Sequence, residues 1–258
     1  MFRILTLLLI ISQSYASSYK LALHPSCPYY CPEDKHRDGY VVDILKSFFK
    51  YKKHELQVLK TPYPRIGSTL MKGKADFSVV SSLDSRHEEQ LVSYRTQLGF
   101  RTTGALFKTS DELVILEFSD LKTKRILLAK GSRATSIISK KIELLNKSES
   151  FINEVTGSSI HSRLIELVAI GRGDVVLEDY NILKYNLANS SKRNILTLTP
   201  TSLTGHNPIS IVASKNSPLR NFFEKDLRDY ISSIRKSGKL KEILDRYQIT
   251  DWDRFTSR

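Results

Sequence analysis

The chain has 258 residues, 40% hydrophobic and 26% charged, which suits one large or two modest globular domains and excludes a disordered or membrane-saturated protein. Its 40 Lys and Arg against 27 Asp and Glu leave a net charge of +13. These basic residues are spread through every segment, so they read as a solvated surface with a weaker bias toward anionic ligands. Nucleic acid is not an expected partner.

Met1 to Arg3 is a short basic start, Ile4 to Ile11 an apolar run, and Ser14-Tyr15-Ala16 a small-x-small exit. The pattern predicts a secretory signal peptide over 1–16, cut after Ala16, and a periplasmic protein. A transmembrane span needs about 20 apolar residues, more than this run supplies. A lipoprotein is not expected either, since no cysteine directly follows the run. Cys27 and Cys31, in HPSCPYYCPED, then meet an oxidising compartment and are expected to form a structural disulfide. Their C-x-x-x-C spacing is not that of thioredoxin, and no second ligand pair points to a metal.

Tyr19 to Leu23 reads as a strand, followed by a proline- and cysteine-rich loop over 25–38. Val41, Val42, Ile44, Leu45, Phe48 and Phe49 recur at helical spacing. Leu56 and Val58 mark a strand ending in TPYP. Ile66, Leu70 and Met71 mark a short helix stopped by Gly73, and Phe77, Val79 and Val80 a buried strand that ends at Ser81 and Ser82. This helix–strand alternation predicts a parallel sheet with ligand-binding loops at one edge.

Residues 91–108 are extended and β-rich. A second unit then begins, with strands at 125–129, 151–155, 175–177 and 195–198 and helices at 134–145, 160–170 and from Ile182 to Leu187. It predicts a second, separate parallel sheet. Ile209, Ile211 and Val212 rejoin the first sheet, and helices over 218–234 and 240–247 follow. The chain is thus expected to cross between two units near 104–110 and return near 199–207. Lobe 1 would comprise 17–107 and 206–258, and lobe 2 108–205.

The order Gly39-Tyr40-x-Val42-Asp43-Ile44, Tyr63-x-Arg65, Leu70-x-x-Gly73-Lys74-x-Asp76 and Ser81-Ser82 resembles family 3 of the bacterial extracellular solute-binding proteins, the periplasmic receptors of polar amino-acid ABC transporters. The resemblance continues almost to the C-terminus. It implies an α/β fold of the periplasmic binding protein-like II type, two α/β lobes joined by a two-segment hinge. It also implies that Tyr29 or Tyr30 packs on the ligand, that Tyr63 stacks on it, and that Ser81 and Ser82 face it.

Arg65 has the planar fork to reach a ligand carboxylate. Relatives place a carboxylate-gripping arginine after the strand-end serines, where SSLDSRHEEQ has Glu89 at the ungapped position, so Arg86 is the expected displaced clamp. In the second unit Ser132, after Gly131, and Arg133 open a helix suited to an anion. Asp179 falls on the family's amine-holding aspartate. His24 stands near where many relatives carry an acid, which argues against a basic amino acid as ligand.

No metal cluster, no G-x-S-x-G elbow and no phosphate-binding glycine loop appears, and the six histidines are dispersed. The expected protein is therefore not an enzyme and needs no cofactor. It is a monomeric receptor that captures a small polar ligand, an amino acid or related organic anion, for an ABC permease or a membrane sensor. The alternatives are an exported enzyme of the same fold, similar to cyclohexadienyl dehydratases, and a signalling module without small ligand.

Overall fold

Strand β1 (Ser18–Leu23) ends in three residues buried on both faces, Leu21, Ala22 and Leu23, which requires cover from both sides of its sheet. The computed structural model describes residues 17–81, 87, 89–132, 137–142, 151–157 and 159–255. In it β1 lies between β2 (Glu55–Lys60) and β3 (Phe77–Val80), parallel to both. Helix α1 (Tyr40–Tyr51) covers one face, burying Val41, Val42, Ile44, Leu45, Phe48 and Phe49, as the helical spacing predicts. Helix α2 (Ile66–Met71) covers the other, with Ile66 and Leu70 packed among Ala22, Val80 and Val212.

Two further strands complete this sheet, in the order β2-β1-β3-β10-β4. β4 is Leu91–Arg101 and β10 is Asn207–Ser214, and β10 pairs antiparallel with both β3 and β4. The second sheet contains β5 (Thr103–Lys108), β6 (Arg125–Ala129), β7 (Phe151–Val155), β8 (Val175–Asp179) and β9 (Leu196–Pro200), in the order β7-β6-β8-β5-β9. Alternating residues of β6 feed two cores. Ile126 and Leu128 join one, and Leu127 and Ala129 pack against α3 (Ile160–Ala169) and α4 (Tyr180–Ala188) in the other.

Both sheets are mixed rather than parallel. β5 runs antiparallel to β8 and β9, and β10 antiparallel to β3 and β4, because these strands carry the chain between sheets rather than closing β-α-β units. The first crossing also falls earlier than 104–110. β4 ends at Arg101 and β5 begins at Thr103 in the second sheet, so residues 103–107, expected in lobe 1, pair there instead. The chain returns to the first sheet between Pro200 and Asn207.

The two crossings are laced together. The Thr201 amide donates to the Thr103 carbonyl at 2.8 Å, and the Thr103 and Thr204 hydroxyls meet at 2.7 Å. After β10 a π-type turn (Phe222–Leu227) sends Phe223 into the first core, and α5 (Arg228–Lys236) and α6 (Lys239–Asp245) close that side. Beyond α6, Trp252 is buried, and Arg235 binds Asp251 through two hydrogen bonds. Among the described residues no helix is long and apolar enough to cross a membrane. The expected signal peptide lies outside them.

Candidate functional site

Residues at the C-terminal ends of β1, β3 and β8 line one cleft beside the crossing strands. Its volume is about 90 Å³, room for several waters or one small organic molecule. Leu23, Val79, Val80, Ile66 and Ile209 supply an apolar wall from the first sheet, and Ile137 and Ile182 from the second. Among the polar groups of the lining, Tyr29, Arg101, His161, Glu178 and Asp179 converge, and Ser81, Thr103 and Ser132 add hydroxyls.

Tyr29 reaches the cleft because its loop is tied from several sides. Ser26 and Tyr30 exchange backbone hydrogen bonds, the Cys27–Cys31 disulfide closes the turn, and the Tyr40 amide donates to the Pro28 carbonyl at 2.9 Å. Its hydroxyl lies 2.9 Å from each oxygen of Asp179 and receives a hydrogen bond from the Asn181 amide at 3.2 Å. Burial, and then the Asp179 charge, raise the Tyr29 phenol well above its ordinary range, so it remains a donor.

Asp179 ends β8 and caps α4, accepting from the Ile182 amide at 3.0 Å. It is 4% exposed. Arg101 Nε lies 3.7 Å from Asp179 Oδ2, and its guanidinium stacks 4.4 Å from the centre of the Tyr29 ring. Burial opposes charge on Arg101, but Tyr29, Asp179 and Glu178 together hold its pKa above the ordinary value. Burial raises the pKa of Asp179, with Arg101 and the Ile182 amide pulling it back.

Glu178, the neighbour on β8, is 2% exposed. Its Oε1 accepts from the Asp179 amide at 2.8 Å, and the Ser132 hydroxyl also hydrogen-bonds to this carboxylate. Burial raises its pKa. Its Oε2 has no hydrogen-bond partner among the described residues and stands 4.0 Å from His161 Nε2. Burial lowers the His161 imidazole to about 4, so the ring is neutral at neutral pH. His24 opens onto the same cleft, its pKa lowered by partial burial and then by Arg101.

Of the residues predicted from sequence, Tyr29, Tyr63, Ser81, Ser132 and Asp179 line this cleft, as does Tyr30. Ser82, Arg86 and Arg133 lie outside the described residues. Arg65 does not reach the cleft. It ends a single 3₁₀ turn (Tyr63–Arg65) whose tight pitch sends Tyr63 and the following Ile66 inward and Arg65 outward, into a surface dip with Lys60, Lys72 and Lys74. Asp179, expected to hold a ligand amine, is here engaged by Tyr29, Ile182 and Arg101.

Sequence reading missed Arg101, Glu178 and His161. The available signals were a lone arginine in the otherwise uncharged stretch between Gln97 and Leu106, and a tandem Glu-Asp closing an apolar strand.

The same fold recurs in solved structures. The GluR0 ligand-binding core from Nostoc punctiforme with L-glutamate matches with a TM-score of 0.68 and 16% identity, covering 89% of this chain and 98% of that one. The substrate-binding protein AbpA of an amino-acid ABC transporter from Streptococcus pneumoniae, bound to L-arginine, matches at 0.67 and 18%, covering 90% and 94%. A putative L-cystine ABC transporter protein from Listeria monocytogenes matches at 0.69 and 15%, covering 90% and 96%. Such identities show a shared fold, the two-lobed architecture of periplasmic binding proteins. No protein-family model matches the chain, and no curated protein does.

Proposed function

We propose that this chain is an exported solute-binding protein that takes a small polar ligand into the cleft between its lobes and hands it to an ABC permease or reports it to a membrane sensor. The observation that carries this reading is the cleft: apolar walls from both sheets around convergent polar groups, beside two laced crossing strands. The lobes would turn about Arg101–Thr103 and Pro200–Asn207, and a ligand touching both would stabilise the closed form. Tyr29, Tyr63 and Ser81 would contact it from the first lobe, and Ser132 from the second.

A thermal-shift screen of amino acids, organic acids, sugars and short peptides tests this, since a ligand of the native form raises its melting temperature. The expected hit also reduces the radius of gyration in small-angle scattering. A screen without any hit argues for a signalling module with an unoccupied cleft. Chemical conversion of the hit would instead make the protein an enzyme.

A further inference from the structure

If this cleft captures a small ligand, its polar contacts follow from which groups are already satisfied. The Asp179 carboxylate is already engaged within the protein. The single Tyr29 hydroxyl hydrogen is shared between its oxygens, Oδ1 takes the Ile182 amide as well, and Arg101 supplies the counter-charge. Two other groups at the cleft are incomplete. Glu178 Oε2 is buried without a hydrogen-bond partner among the described residues. Among the described residues Arg101 Nε makes no hydrogen bond and faces Asp179 Oδ2 at 3.7 Å, while 29% of the Arg101 side chain is exposed. A buried acceptor is costly to leave unmet, and a ligand can meet it while its own negative charge pairs with the exposed part of the Arg101 guanidinium.

We propose that Glu178 and Arg101 are the pair that reads the ligand: a carboxylate of the ligand docks on Arg101, and a donor on the adjacent carbon, an ammonium or a hydroxyl, docks on Glu178 Oε2. Asp179 and Tyr29 are positioning residues. The Tyr29 ring and the Asp179 charge hold the Arg101 guanidinium at the cleft floor, and the Asp179 amide fixes the Glu178 carboxylate through Oε1. The ligand class is thus a small α-substituted carboxylate whose substituent donates a hydrogen bond. Neutral His161 beside Oε2 brings no cation to compete with the ligand's donor.

The test is calorimetry on the full protein with sets that differ only at the α carbon: L-alanine, L-lactate and propionate, and L-glutamate, L-2-hydroxyglutarate and glutarate. The expected result is at least tenfold tighter binding of the α-donor members of a set. Glu178→Gln keeps an oxygen for the Asp179 amide but puts an amide donor at the open position, and should abolish that preference. Asp179→Asn should weaken all members of the set by a similar factor and leave the preference in place. Loss of the preference in Asp179→Asn with retention in Glu178→Gln overturns the assignment, as does equal binding of the unsubstituted acid. Binding of some other screened molecule but none of these carboxylates overturns the ligand class and leaves the solute-binding reading standing. Absence of any small-molecule binding removes both.

Discussion

The Tyr29 hydroxyl, from a loop of the first lobe, and the Asp179 carboxylate, from the end of a second-lobe strand, meet at 2.9 Å in a buried position. They are 150 residues apart in the chain, and their bond holds the lobes together on the floor of the cleft. Tyr29→Phe keeps the ring under Arg101 but strips the carboxylate of a donor. A hydrogen bond to a charged group contributes about 1.5–3 kcal/mol, so a measurable loss of denaturant stability is expected. Scattering should also show a more open ligand-free form. A Tyr29→Phe variant as stable and as closed as the parent would rule out this role.

A second set of contacts joins the lobes away from the cleft. The Tyr185 hydroxyl, on α4, reaches Asp34 at 3.5 Å, Arg37 lies 5.5 Å from its ring centre, and Lys184 Nζ donates to the Gln248 carbonyl at 2.9 Å. None of these residues lines the cleft. Tyr185→Ala should therefore act on closure alone. Losing about 1 kcal/mol of closed-form contact weakens apparent affinity about fivefold. Calorimetry would show that loss with the order of ligand preference preserved, whereas a changed order would mean that Tyr185 shapes the site itself.

Much of the fold is readable from apolar spacing. The six apolar positions of α1 and Phe77, Val79 and Val80 of β3 are buried as their patterns imply. Arg101 was not readable, because its place depends on a change of sheet at Thr102 inside a continuous β-forming run, where periodicity does not change. Arg65 and Tyr63 are two residues apart and look equivalent, and only the pitch of a three-residue turn separates the inward from the outward side chain. Glu178 lies in a strand whose five residues are all buried, so alternation carries no information about which face meets the cleft.

His161 gives the site a pH signature. Its folded pKa, about 4, lies below the ordinary 6.5, so the unfolded chain takes up a proton that the folded form refuses. The stability this confers is complete above pH 6.5 and is lost as pH falls toward 4. The interval corresponds to roughly 3 kcal/mol. Urea unfolding at pH 7, 5 and 4 should show the decline, and His161→Gln should flatten it. An NMR titration placing the His161 midpoint near 6.5 would refute the assignment.

Gly39 sets the position of Tyr29. Its φ of +105° is one that side-chain-bearing residues rarely adopt, and a Cβ there would sit 2.3 Å from the Tyr29 carbonyl oxygen and 2.6 Å from the Tyr30 Cα. Both are backbone atoms of the disulfide-closed loop, so no rotamer change relieves the clash. Gly39→Ala must therefore displace the loop, costing more than the roughly 1–3 kcal/mol of backbone strain alone, and the displacement pulls Tyr29 away from Asp179 and Arg101. Gly73 separates the two effects, since its φ is +62° but a Cβ there meets nothing within 4 Å. Gly73→Ala should cost about 1 kcal/mol and leave ligand affinity unchanged. Gly39→Ala should lower the melting temperature further and weaken binding as well. Equal stability losses in the two variants, with binding intact in both, would show that the loop's closeness to Gly39 does not place Tyr29.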